Sequence, residues 1–473
     1  MVYSSSVFLL FFLPLFMLLY ILLDKKYKNS FLLLGSLIFY AWGAPKFIFL
    51  VLISIWIEFQ LIKLMTKQKR EHQKYFLAAS VILNIGTLLY FKYANFFVDN
   101  LNNILQAFGI KAFEWTKIIM PIGISFFTFQ KMTYSIDVYR GEAKKLDKVS
   151  DLGVYILMFT HLIAGPIVRY HEISDQLIDR EYNENNNNRI TGFFRFCIGL
   201  AKKALIANTL GQTADYIFGL EQQYFTTPLA WIGITAYTFQ IYYDFSGYSD
   251  MALGLGRMIG FDFPENFNHP YISQNISEFW RRWHMTLGKW MKDYLYIPLG
   301  GNKVSKNRMY LNLILVFLIS GFWHGAAWTF IFWGVYHGAF LILDRVFLIK
   351  LMSKTGKGTR IILTFFLVMI GWVFFRATNM SQAFFILSKM FSTDFRASNY
   401  MLDMKFWGIM GAAFFFAWWG FTGHIEKWQN VLFAKNKSNK ALLAMTLASV
   451  VLFVLSVASI TTSGFNPFIY FRF

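Results

Sequence analysis

Long apolar runs separated by short polar loops dominate this chain. Runs such as VFLLFFLPLFMLLYILL at 7–23 and LLAMTLASVVLFVLSVASI at 442–460 approach the roughly 20 apolar residues that cross a bilayer as a helix. A hairpin over 31–65 turns at AWGAP. Further spans are expected near 75–95, 117–137, 190–208, 228–247, 309–323, 325–346, 361–377, 405–421 and 441–460. The pattern predicts an all-α polytopic membrane protein with about 11–12 transmembrane helices. No polar stretch is long enough to bury a core of its own, so a single domain over 1–473 is expected.

Two stretches break the pattern. Segment 150–168 is apolar but holds His161 and the breaker pair Gly165-Pro166. It reads as re-entrant, because broken backbone at membrane depth must be covered by protein. Segment 262–308 is too polar for lipid yet dense in Trp, Tyr and Phe, which suits a cytoplasmic or half-buried insertion lining a site.

Composition agrees with the pattern. The 473 residues are 56% hydrophobic and 15% charged, and mean hydropathy is +0.42. The net charge of +19 is accounted for by basic loops on the cytoplasmic side; without a folded basic domain, nucleic acid is not expected as a partner. Placing the basic segments DKKYK, TKQKREHQK, RGEAKKLDK and HIEKWQNVLFAKNKSNK inside puts both termini outside. Cys197 is the sole cysteine, so it can form neither an intrachain disulfide nor a thiolate cluster. Its apolar neighbours suggest a packed core thiol.

Ionisable groups inside membrane segments are costly and mark functional candidates. His324 is the sharpest, in SGFWHGAAWTFIFWGVYHG between two apolar runs. Gly321, Gly325, Ala326 and Ala327 around it let a backbone or a ligand come close. His337 reads as mostly structural. His284 lies in EFWRRWHMTLGKWMKDYLYIPLGG, where Arg281, Arg282, Trp283 and Lys289 could clamp and stack on a nucleotide-bearing cofactor, unless the charges form only a juxtamembrane belt. Gly300-Gly301 reads as a turn. Asp244, Ser246, Ser249 and Asp250 are expected to pair across helices, with cation binding or orientation of a base as the other option. His72, His171, His269 and His424 sit in polar loops and read as solvated or capping. No G-x-S-x-G elbow and no HExxH spacing occurs, so neither a hydrolase elbow nor a metal is expected.

The sequence finishes on FIYFRF, residues 468–473. Four aromatic rings there suit an interfacial anchor, with Tyr470 and Arg472 at headgroup level. An ion path through Asp244, Asp250, His324 and His337, or a scaffold for an export complex, are the readings from other functional classes.

Five stretches together carry a resemblance over nearly the whole chain: PIGISFFTFQKMTYSIDVYRG (121–141), LIAGPIVRY (162–170), YYDFSGYSDMALGLGRMIGF (242–261), EFWRRWHMTLGKWMKDYLYIPLGG (278–301) and GFWHGAAWTFIFWGVYHG (321–338). They resemble the bacterial branch of the membrane-bound O-acyltransferase family, which includes alginate and peptidoglycan O-acetylation proteins. The resemblance implies an intramembrane site with His324 as principal catalytic residue and His284 as second. It implies acetyl-CoA as cytoplasmic donor and a tunnel to an extracytoplasmic SGNH-type O-acetyltransferase that modifies a polysaccharide. It also implies that FIYFRF matches an F-x-Y-F-x-F motif whose tyrosine, Tyr470, carries the acyl group. A bacterial cytoplasmic membrane location follows, with transfer of another acyl group or to a lipid acceptor as the alternative.

Overall fold

The computed structural model describes residues 1–162, 165–396, 402–422, 431–434, 437–465 and 468–469. Tyr470, Phe471, Arg472, Phe473 and His424 lie outside the described residues. Every regular element among the described residues is helical. The chain forms two compact units, residues 1–185 with 256–263, and residues 186–255 with 264–473.

The first unit holds α1 (Phe8–Leu22), α2 (Lys25–Gly43), α3 (Pro45–Met65), α4 (Arg70–Ala107), α5 (Ile124–Arg140), α6 (Val149–Leu157) and α7 (Tyr170–Ile178). AWGAP is the break between α2 and α3: Ala44 leaves helical geometry, and Pro45 opens the next helix, where its missing N–H costs nothing. Two expectations need correction. The loop foreseen over 96–116 is helical as far as Ala107, because ANFFVDNLNNILQA keeps its apolar residues at helical spacing. The span foreseen over 117–137 begins only at Ile124, after Pro121 and a left-handed Gly123 (φ 76°). The helix entering 150–168 ends at Leu157, and the irregular backbone that follows is buried through Met158–Leu162. There the His161 Nε2–H donates to the Tyr155 carbonyl at 2.9 Å, so this histidine is a tied core residue.

The second unit holds α8 (Asn186–Ala201), whose helical path runs on to 218, then α9 (Thr227–Met258), α10 (Ile276–Arg282), α11 (Met285–Met291), α12 (Lys306–His324), α13 (Trp328–Leu343), α14 (Lys357–Arg376), α15 (Met380–Met390), α16 (Met404–Trp418) and α17 (Asn439–Ser463). Helix α9 outruns the expected 228–247 span, because the aspartates beyond Tyr243 are paired internally and so do not end it. Close approach of α8 and α9 needs glycine. A Cβ on Gly199 would lie 2.4 Å from the Gly247 carbonyl oxygen, inside any allowed contact. Helices α12 and α13 cross in the same way: a Cβ on Gly321 would meet the Phe330 carbonyl oxygen at 2.3 Å, and one on Gly334 the Phe317 oxygen at 2.3 Å. The small residues flanking His324 therefore admit a neighbouring helix, as small residues do at membrane helix contacts.

By length and composition four helices are able to cross a membrane unaided among the described residues: α3, α4, α14 and α17.

Candidate active site

His324 is the last residue of α12. The helix stops there because Gly325 turns extended (φ −162°, ψ 148°), and a Cβ on Gly325 would strike the Phe330 ring at 2.2 Å. The imidazole is thus held at the tip of a tight α12–α13 hairpin, only 6% exposed. Aromatic edges enclose it: Trp323 at 4.9 Å, Trp333 at 5.2 Å and Phe375 at 5.3 Å between ring centroids. Beside it lies a small cavity lined by Ile241, Phe245, Trp283, His324, Trp333, Trp372, Phe375 and Ile469. Its aromatic walls leave no room for a whole nucleotide cofactor.

His284 joins α10 to α11 in a left-handed conformation (φ 44°, ψ 53°). A non-glycine residue held there stores on the order of 1–3 kcal/mol, and Asn266 helps to hold it. The Asn266 Oδ1 accepts from the Thr286 backbone N–H at 3.3 Å, the Thr286 hydroxyl at 2.9 Å and His284 Nδ1 at 3.0 Å. A backbone N–H can only donate, so the atom facing it is the amide oxygen. The His284 proton therefore sits on Nδ1, leaving Nε2 as the basic nitrogen. Nε2 is buried and has no hydrogen-bond partner among the described residues. Phe245 packs edge-on against His284 at 4.7 Å and also lines the cavity, while Trp323 touches both histidines. The two histidines singled out in the sequence thus converge on one aromatic shell.

The expected cofactor residues separate. Arg281 and Lys289 are exposed. Arg282 is engaged by Glu278 at 2.9 Å and the Asn268 carbonyl at 3.2 Å. Trp283 is buried in the cavity wall, packed between Phe279 and Trp372. His337 is fully buried behind Trp333, with neither ring nitrogen hydrogen-bonded among the described residues.

Asp244 and Asp250 both pair across helices. Asp250 is caged by Arg195 at 2.8 Å and Lys202 at 2.6 Å, and Arg195 also binds Glu265 at 2.6 Å. Asp244 pairs with Lys203 at 2.8 Å. Its other oxygen accepts the Ile469 backbone N–H at 2.8 Å, and Phe468 stacks on Tyr248 at 4.2 Å.

In the first unit His171 is not a freely solvated loop residue. Its ring and its backbone N–H both donate to the buried Asp137, at 2.9 and 3.0 Å. Asp137, Glu142 and His171 place one potential ligand atom each within 4.8 Å of one another. Asn266 was missed in the sequence, where it is one of several polar residues in FPENFNHP and carries no spacing signal.

Residues 139–356 match the membrane-bound O-acyltransferase (MBOAT) family. The chain is 40% identical to the probable alginate O-acetylase of Azotobacter vinelandii over 506 aligned residues, covering 100% of both. The chain belongs to the MBOAT family. Another MBOAT relative, the peptidoglycan O-acetyltransferase of Helicobacter pylori, is 38% identical across 82% of this chain and 80% of its own. The teichoic acid D-alanyltransferase of Bacillus subtilis is 31% identical across 49% of this chain and 60% of its own. The protein is accordingly a multi-pass membrane O-acyltransferase, and the helical architecture of the described residues is that expected of an MBOAT protein.

Proposed function

We propose that this MBOAT protein takes an acetyl group from cytoplasmic acetyl-CoA and passes it, as an ester of Tyr470, to an extracytoplasmic SGNH-type O-acetyltransferase acting on a cell-envelope polysaccharide. The observation that carries this reading is that Ile469, one residue before Tyr470 in sequence, lines the same cavity as His324.

A phenol with a pKa near 10 is a poor nucleophile at neutral pH, so the tyrosine needs a base. His324 takes its proton as the phenolic oxygen bonds to the acyl carbon. The carbon–sulfur bond breaks, the proton passes from the imidazole to the departing thiolate, and coenzyme A leaves as the thiol. In the second step a hydroxyl of the external transferase attacks the phenyl ester, and the phenol is regenerated. His284, with a basic Nε2 in the same shell, is the second proton-handling group. Coenzyme A carries charges that cannot enter hydrocarbon, and the small cavity beside His324 has no room for the carrier's nucleotide. The exposed Arg281 and Lys289 suit phosphate binding at the surface.

Relatives named for alginate and peptidoglycan O-acetylation support a polysaccharide as final acceptor. The basic loops support a bacterial inner-membrane location with both termini extracytoplasmic.

The test is the intact mass of the purified protein after incubation with acetyl-CoA. One added acetyl group on the C-terminal peptide, absent in Tyr470→Phe and His324→Ala, is the expected result. An unmodified protein that still acetylates an added acceptor would overturn the relay.

A further inference from the structure

The aspartate pairs of α9 differ in a way that their ion pairing does not explain. Asp250 has both oxygens taken by Arg195 and Lys202, a closed cage. Asp244 gives one oxygen to Lys203 and the other to the backbone N–H of Ile469, 225 residues away in sequence. Both side chains of the Lys203–Asp244 pair are almost fully buried, at 2% and 1% exposure. A buried ion pair gains little over a well-packed apolar pair, so packing alone does not account for it. An acceptor aimed at an otherwise unsatisfied N–H does, since a buried backbone donor needs a partner.

We propose that Asp244, oriented by Lys203, is a dock for the C-terminal segment, and that it is a positioning residue for acyl loading. The carboxylate holds the backbone at Ile469, Tyr248 stacks under Phe468 at 4.2 Å, and Ile469 meets the cavity of His324. Two adjacent residues are therefore fixed by two different contacts, one polar and one aromatic. A single contact would leave Phe468–Ile469 free to rotate about it; two fix this pair with Ile469 at the cavity wall. The consequence for catalysis rests on the proposed role of Tyr470, whereas the dock itself does not.

Two double variants separate docking from ion pairing. Lys203→Met with Asp244→Asn removes both charges and keeps a side-chain oxygen for the Ile469 N–H. Lys203→Met with Asp244→Leu removes the acceptor as well, and neither variant leaves a lone buried charge. Amide hydrogen exchange of the C-terminal peptide in the full-length protein is the first readout. The Leu variant is expected to exchange about tenfold faster or more, the range of a lost hydrogen bond to a charged group, while the Asn variant, which keeps a neutral hydrogen bond, falls between it and wild type. Acetyl loading at Tyr470 should fall in parallel in the Leu variant and recover in the Asn variant. Equal exchange in the two variants and wild type would overturn the dock. If the Leu variant does not fold, Tyr248→Leu serves instead: it leaves the ion pair intact and should also speed exchange, and unchanged exchange there would equally count against the dock. Should wild type show a protected C-terminal peptide but no acetyl on Tyr470, the relay falls and the dock stands.

Discussion

Two buried polar regions of this protein are built in opposite ways. In the first unit, Glu58 of α3 accepts from Ser80 at 2.6 Å and Asn84 at 2.8 Å on α4, and from Ser135 on α5. Three helices close on one carboxylate with hydrogen bonds. In the second unit His324 is closed in by aromatic edges, and a cavity is left beside it. The first arrangement binds helices together where lipid offers no polar partner. The second sets an imidazole among aromatic rings at the edge of a small cavity. An intramembrane ionisable residue is a functional candidate by default, and what encloses it is where these two regions differ.

The contrast breaks most visibly at the cavity wall. Trp372→Ala is expected to destabilise the protein by about 3–5 kcal/mol and to raise the propionyl-to-acetyl transfer ratio about tenfold. Thermal unfolding and an acyl-CoA series measure the two. No change in chain-length preference would mean that this wall does not bound the acyl group.

Glu58→Ala should show the opposite profile. It leaves several buried donors unsatisfied, costing about 2–4 kcal/mol, yet acyl transfer per folded molecule should stay within about twofold of wild type. A large drop in transfer at unchanged stability would give the Glu58 region a role in the chemistry after all.

Asn266→Ala tests whether the His284 tautomer matters. Loss of this acceptor is worth about 1–2 kcal/mol, and the transfer rate should fall about tenfold with a changed pH profile. A change in stability alone would confine Asn266 to structure.

The smallest effect belongs to His171, outside the spans. Its hydrogen bond to Asp137 raises its pKa above the ordinary value. Its protonated form is therefore favoured by folding. The stabilisation is fully present below about pH 6.5 and is lost as pH rises through the raised folded-state pKa. Comparing wild type with His171→Asn between about pH 5 and 8 should show a wild-type advantage of under about 1 kcal/mol that shrinks with rising pH. An advantage that grows instead would contradict the assignment.

Much of the architecture was legible because membrane helices announce themselves by length and hydropathy. The AWGAP turn, the helix ending at His324 and the broken 150–168 segment all follow from local composition. Boundaries were less so: α9 runs past its apolar core because Asp244 and Asp250 find cationic partners on another helix, while α4 runs on because its amphipathic tail keeps helical spacing. His324 and His284 stood out as ionisable residues among aromatics. Asn266 did not, because nothing in FPENFNHP signals that its oxygen orients a histidine 18 residues away.

The sequence by itself determined that the protein is helical, that it belongs in a membrane, and which histidines lie in its apolar runs, because these depend on transfer free energy residue by residue. Only the tertiary structure decided that the two histidines share an aromatic shell, that Asp250 is caged while Asp244 reaches the backbone of Ile469, and that Ile469 lines the cavity of His324. Those are distances between residues remote in the chain, set by where glycine-lined helices cross, and no local pattern encodes them.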